Sequence, residues 1–210
     1  MLSKTIQNAI DSLARLPGIG PRQATRIVFS LINGSKKESA ELAKAIAAIG
    51  ENIRTCPVCF SSYEVTRDGH KTCLICANPA RQKTALCVVE REMDIETIEK
   101  TKLFKGVYHV VGEQVDTLAK TIPPTVKRLL ERIAFIYKQL PLSKQKDMEV
   151  ILATNATVEG DVLASYLEKH IAPLGVAGTR LARGLASGAE LEYADTQTLL
   201  AAFENRKPSS

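Results

Sequence analysis

The run CPVCFSSYEVTRDGHKTCLIC carries Cys56, Cys59, Cys73 and Cys76 as two Cys-x2-Cys pairs separated by 13 residues. Two such pairs can close a tetrahedral thiolate shell around one structural zinc ion (Zn2+), with all four positions filled by protein and none left for a water. An ion held in that way stabilises a fold and catalyses nothing. Disulfides are one competing reading, and they suit an oxidising compartment; a redox Cys-x2-Cys is another, and it would not need a second pair. Arg67-Asp68-Gly69 supplies a turn midway, so a hairpin can bring the pairs together, and His70 beside it is read as a bystander. Cys87, inside the apolar run ALCVV, is read as a buried core residue.

A second set has the spacing of a magnesium site without its charge. CVVE puts Glu90 at the end of one apolar strand, and VILATNATVEGD puts Asn155, Thr157 and Glu159 after another. In a parallel sheet both lie at the carboxyl edge, where open α/β folds bind ligands. Magnesium-assisted phosphoryl transfer wants several hard, charged oxygens there. Asn155 and Thr157 offer oxygen without charge, so Glu90 and Glu159 remain, with Asp94 or Asp161 in reserve. The arrangement resembles the Toprim fold of topoisomerases and primases, in which two aspartates and a further acid follow the later strand. On that resemblance Glu90, Asn155, Thr157 and Glu159 form a degenerate Toprim site, and a magnesium-dependent nuclease or primase-like enzyme is the alternative function.

The third set is basic. LPGIGPRQATRIVFSLI joins two helical stretches through Gly18-Ile19-Gly20, and Pro21 suits the first turn of the second helix. Glycines permit a tight turn and leave amide groups uncovered. A helix that starts there offers free N–H groups and a positive dipole end to a phosphate. Arg22 and Arg26, four apart, share a helical face and can reach a nucleic-acid backbone, while Ile27, Val28 and Leu31 should face the core. Contacts of that kind carry affinity without sequence choice and weaken with salt. An ordinary helical hairpin is the plain alternative, but the whole string resembles the helix-hairpin-helix DNA-binding motif, with Gly18, Ile19, Gly20, Arg22 and Arg26 as its DNA-contacting residues.

The elements that must position these sets follow from periodicity. Residues 3–54 are expected to be helical, with Ile6, Ile10, Leu13 and Leu16 at three-to-four spacing and with Gly34 and Gly50 marking stops. Residues 55–80 are too rich in Cys, Pro, Gly and polar turn formers for an apolar core of their own. From residue 84 strands and helices alternate: ALCVV, DIETIEKTKLF, VYHVV, PTVKRLLERIAFIYKQL, EVILA, EGDVLASYLEKHI, VAGTRLA and a last helix after Thr196 that frays into KPSS. This predicts an α/β chain with a parallel sheet flanked by helices. The expected division is a helical hairpin domain at 1–54, a zinc module at 55–80, a Toprim-like domain at 81–175 and a strand-helix segment at 176–210.

Composition bounds the partners. The net charge is +5, and it is one-sided: residues 1–83 hold 12 Lys and Arg against 6 Asp and Glu, while residues 84–210 hold 16 against 17. A one-sided positive field favours a polyanion. No apolar run approaches the roughly 20 residues that span a bilayer, and the N-terminus lacks a signal peptide's apolar stretch, so a cytoplasmic protein is expected.

Taken in order, helical hairpin, four cysteines, depleted Toprim domain and the final GTRLARGLASGAELEYAD resemble the RecR family of bacterial recombination mediators over nearly the whole chain. LPGIGPRQATR, CPVC, CLIC, CVVE, YHVVG, ILATNATVEG, PLGV, TRLARGL and LEYAD carry the likeness. The resemblance implies a non-enzymatic DNA-repair factor that forms a tetrameric ring able to encircle DNA. It also implies action with RecO, and in many bacteria RecF, to load RecA on gapped DNA in place of single-strand-binding protein. The C-terminal segment is Walker B-like in that family, yet no GKS or GKT loop is present to hold nucleotide phosphates. The chain departs from the family after YHVVG, where EQVDTLAKTIPPTVKRLLERI stands in place of a glycine and a Ser-Pro loop.

Overall fold

Three-to-four apolar spacing winds the first quarter of the chain into α1 (Lys4–Leu13), α2 (Pro21–Asn33) and α3 (Lys36–Asn52). In a computed structural model, residues 2–65, 69–112, 115–118 and 121–206 are described, and the chain divides into two units, Met1–Ile53 and Arg54–Ser210. Each helix start is chemically marked. Ser3 caps α1 by accepting the Ile6 amide, Pro21 opens α2, and Ser35 with Glu38 forms a reciprocal capping box on α3. Gly34 ends α2 as expected, but Gly50 lies within α3, whose last turn runs on to Asn52.

The core of this unit is small: Ile10, Ala24 and Val28 are buried, and Ile6, Leu13 and Ile19 pack on them. Of the three residues expected to face it, Val28 does so, while Ile27 and Leu31 are half-buried. They line an open apolar groove of about 480 Å³ together with Ile32, Leu42 and Ile46. No residue of α3 is buried.

The second unit opens with the cysteine-rich run. A two-stranded ribbon, β1 (Ile53–Thr55) with β2 (Ser62–Glu64), is followed by the single turn α4 (Leu74–Ala77). Arg67 and Asp68 of the expected turn lie outside the described residues, and Gly69 has the positive φ (69°) of a turn glycine.

Four parallel strands follow: β3 (Gln82–Val89), β4 (Gly106–Val110), β5 (Glu149–Ala153) and β6 (Ala177–Arg180), in the order β4-β3-β5-β6. The connections are α5 (Glu92–Lys100), α6 (Pro124–Gln139) with the short α7 (Leu142–Gln145), and α8 (Val158–Ile171); α9 (Thr196–Glu204) closes the chain. The helix over DIETIEKTKLF is shorter than expected. It stops at Lys100 because Lys102 turns left-handed (φ 59°) and donates its N–H to the Glu99 carbonyl.

Period-two alternation sorts the strand residues between two cores. Leu86, Val88, Val107, Val150 and Leu152 face Leu129, Ile133, Leu163 and Leu167 of α6 and α8. Cys87, Val89, Tyr108 and Val110 face Ile95 of α5. Each fully buried Leu, Ile or Val contributes roughly 1.5–3 kcal/mol. Because α5 leaves β3 toward one face and α8 leaves β5 toward the other, the adjacent carboxyl ends of β3 and β5 form a topological switch point. No helix among the described residues is long and apolar enough to cross a membrane.

Candidate functional site

The switch point brings Glu90 and Asn155 together, and they bond to each other. Residue 89 pairs with residue 153 across β3 and β5, so the loops that follow leave side by side. Glu90 accepts the Asn155 backbone N–H at 2.7 Å on one carboxylate oxygen and the Asn155 side-chain amide at 2.9 Å on the other. The neutral residue at the first expected acid position is therefore a donor that occupies the carboxylate a metal would have needed. The loop is held tight at Gly160, where a Cβ would sit 2.1 Å from the Asn155 carbonyl oxygen.

The remaining acid positions have other tasks. Thr157 is the N-cap of α8, its hydroxyl accepting the Gly160 amide at 3.1 Å. Glu159 is exposed in the first helical turn, where a negative charge complements the helix dipole. Asp161 is held by Arg183 through two contacts of 2.6 and 2.9 Å, with Arg180 at 3.4 Å; Arg183 keeps its carboxyl below the usual range. Asp94 accepts the Arg91 amide and caps α5. The gathering of Glu90 and Glu159 with Asp94 or Asp161 that the alternative enzyme reading requires does not form among the described residues. Among the described residues, the four cysteines are the one group of three or more Cys, His, Asp or Glu side chains able to share an ion.

The cysteines converge fully. All four sulfurs lie within 4.8 Å of one another, with Cys59 and Cys73 at 3.5 Å. Four thiolates on a tetrahedral zinc, at about 2.3 Å each, stand roughly 3.8 Å apart, so the donors fit a metal ion. His70 is exposed and outside the group, and Cys87 is buried in the sheet, where loss of hydration pushes its thiol up to about 12. As bare thiols the four are in conflict: the bond shared by Cys56 and Cys59 lowers the first and raises the second, and its three neighbours raise Cys76. A divalent cation resolves that conflict by taking sulfur as thiolate.

The cluster is fastened to the sheet by residues that the sequence did not flag. The Cys59 carbonyl accepts the Val110 amide at 2.8 Å, continuing the open edge of β4. Arg132 of α6 donates to the Tyr108 carbonyl at 2.6 Å and reaches the Val58 carbonyl at 3.4 Å. The Phe60 ring packs on buried His109, whose Nε2 lies 3.0 Å from the Thr125 carbonyl; burial pulls the His109 imidazole down to about 4. Arg132 carried no sequence signal, being one of several cations on an amphipathic helix. His109 had one: a lone His inside an apolar strand.

In the first unit the hairpin is built as its spacing suggests, with one difference. Gly18 takes the left-handed turn (φ 77°), whereas Gly20 has an ordinary extended backbone (φ −79°) as the cap of α2. No side chain caps that end, so its first amides are free of a side-chain acceptor. Arg22 and Arg26 are exposed on α2 beyond it.

Comparison with known proteins agrees with this layout. The helix-hairpin-helix domain of RecR matches residues 6–49, the Toprim domain matches 84–182, and the C-terminal domain of RecR matches 184–207. The recombination protein RecR of Thermobifida fusca is 41% identical over 209 residues, covering 99% of this chain and 98% of its own. The same protein from Cutibacterium acnes is 40% identical over 98% of this chain and 96% of its own, and that from Pelotomaculum thermopropionicum is 40% identical over the same shares.

Proposed function

The chain belongs to the RecR family of recombination proteins, and from that premise we propose that it is a non-enzymatic, DNA-binding factor of recombinational repair. It acts with RecO, and with RecF where that protein is present, to promote RecA loading on gapped or single-stranded DNA. The observation that carries the DNA-binding reading is the uncapped start of α2, flanked by exposed Arg22 and Arg26 in the basic half of the chain. Amide dipoles and guanidinium groups there grip phosphates without reading bases.

The non-enzymatic reading rests on the carboxyl edge of the sheet. With Glu90 engaged by Asn155, Asp94 by the Arg91 amide and Asp161 by Arg183, no group of three acids able to share an ion gathers at this edge among the described residues. The metal of the cysteine cluster is zinc in this reading, since four soft sulfur donors without an oxygen ligand select it over magnesium. Bound zinc supplies a structural cross-link between residues 56 and 76 and leaves no position for a reactant.

A homo-oligomer, in this family a tetrameric ring, is supported by the open face of the first unit. Leu42, Ile46 and Ile49 of α3 are 45%, 58% and 62% exposed beside the apolar groove, a surface that a second copy of the chain would cover.

The test is binding of the zinc-loaded protein to fluorescent single-stranded and gapped DNA across a salt series. Replacing Arg22 and Arg26 together with Ala should weaken binding at least about tenfold and flatten the log–log salt slope by about 1.4 on single strands and about 1.8 where the contacts fall on duplex, near 0.7 or 0.9 for each lost phosphate contact. Unchanged affinity and slope in that double variant would sink the assignment.

A further inference from the structure

The four cysteines are chemically unequal. Three sulfurs each receive a hydrogen bond from protein. The Cys73 amide donates to Cys56 Sγ at 3.4 Å, the Cys76 amide donates to Cys73 Sγ at 3.4 Å, and the Ser61 hydroxyl lies 3.0 Å from Cys59 Sγ. Once Cys59 is a metal-bound thiolate it has no proton, so Ser61 is the donor. Among the described residues no N–H or O–H reaches Cys76 Sγ. The reason is local: α4 is one turn long, and the amides after Cys76, those of Ala77 and Asn78, are spent on the Cys73 and Leu74 carbonyls at 3.0 and 3.1 Å.

Exposure runs the same way. Cys56, Cys59 and Cys73 are 0%, 2% and 6% exposed, whereas Cys76 is only half-buried. Hydrogen bonds to a metal-bound sulfur withdraw charge from it, and outer partners of this kind commonly alter metal affinity by about 10–100-fold. Cys76 thus combines the most charge left on sulfur with the easiest approach from solvent.

We propose that Cys76 is the site at which a hydroperoxide first attacks this protein, and that its oxidation opens the metal centre. It rests on the zinc reading above. The Cys76 sulfur attacks one peroxide oxygen, the O–O bond breaks, and sulfur loses two electrons to become a sulfenic acid. The departing hydroxide or alkoxide takes a proton from water. A neighbouring cluster thiolate then displaces hydroxide from that sulfenic acid to form a disulfide. Two thiolates remain, too few to retain the ion. Ser61 is a positioning residue in this scheme, keeping Cys59 from competing.

The experiment uses the full chain with its zinc content measured first. One equivalent of N-ethylmaleimide, whose alkene carbon bonds to sulfur while the adjacent carbon takes a proton from water, is followed by peptide mapping. Hydrogen peroxide is then added with a chromophoric zinc chelator present. Cys76 should carry most of the first adduct, Ser61→Ala should bring Cys59 up alongside it, and Cys76→His, which retains four ligands, should slow peroxide-driven zinc release about tenfold. First modification at Cys56, Cys59 or Cys73, or an even spread over the four, overturns the proposal even though zinc is bound. A chain that neither carries zinc nor takes it up on refolding overturns the zinc reading as well.

Discussion

The cysteine cluster and the carboxyl edge of the sheet began as two comparable donor sets, and the fold treated them oppositely. Cys56, Cys59, Cys73 and Cys76 come from two segments of the chain and meet within 4.8 Å. Glu90, Asn155, Thr157 and Glu159 are carried to adjoining loops and the start of α8, yet they do not gather at one point: Glu90 binds Asn155, Thr157 accepts the Gly160 amide, and Glu159 is exposed in the first turn of α8. Proximity alone therefore does not make a metal site. The donors must also lack another use for their lone pairs, and the price of neutral residues at two acid positions is that the surviving carboxylate binds an amide.

The comparison breaks most visibly by chelation. Stripping the proposed zinc, or replacing Cys73 with Ser, should melt residues 54–65 and 69–80 and release the Cys59 carbonyl and Phe60 from β4, because metal binding in such modules supplies on the order of 10 kcal/mol of folding free energy. Amide hydrogen exchange should show lost protection in that run and at the edge strand, while β3 and β5 stay protected; a uniformly protected apoprotein would refute the cluster's structural role.

At the opposite set, Asn155→Asp places a second carboxylate against Glu90. The variant should lose about 1–3 kcal/mol near neutral pH, the cost of breaking a half-buried polar pairing and opposing two carboxylates, with part of the loss recovered when manganese is added. Urea unfolding with and without the ion measures both. Equal stability of the variant and the parent would mean that the Glu90–Asn155 pair contributes nothing.

Between the two regions sits His109, and it makes the fastening acid-sensitive. Its imidazole is near 4 in the fold and about 6.5 when the chain unfolds, so the unfolded state takes up the proton first. Stability from this group is intact above about pH 6.5 and falls as pH drops toward 4, by on the order of 1 kcal/mol at about pH 5.5. In His109→Phe that pH-dependent loss should be absent from urea midpoints compared at neutral and mildly acidic pH, whatever the variant's absolute stability.

The smallest expected effect is Glu90→Gln. An amide in place of the carboxylate keeps one acceptor and weakens a charge-assisted pair, so about 1 kcal/mol or less should be lost, with DNA affinity unchanged. A variant that lost DNA binding without unfolding would move the functional weight from the hairpin to the sheet edge.

By itself the sequence determined what residue type and short spacing can encode. Two Cys-x2-Cys pairs carry their chemistry in the string, because each pair spans a single turn and sulfur has few other partners. Alternating strands and helices gave the α/β class for a similar reason, since EVILA and VYHVV have the short length and β-branched content that favour buried strands over helix segments. The hairpin was legible as a glycine turn between two helices with Arg22 and Arg26 exposed on the second, although the glycines proved unequal, Gly18 needed for its φ and Gly20 not.

Tertiary structure alone decided contacts between residues far apart in the chain. That Asn155 donates to Glu90 depends on β3 and β5 being neighbours, 65 residues apart in sequence. The half-burial of Ile27 and Leu31, expected in a core, follows from α3 leaving their groove open. Arg132 on the Val58 carbonyl, 74 residues away, likewise depends on a distance no periodicity records. Local patterns state which groups are present, and the packing of distant segments determines which lone pairs and protons remain available.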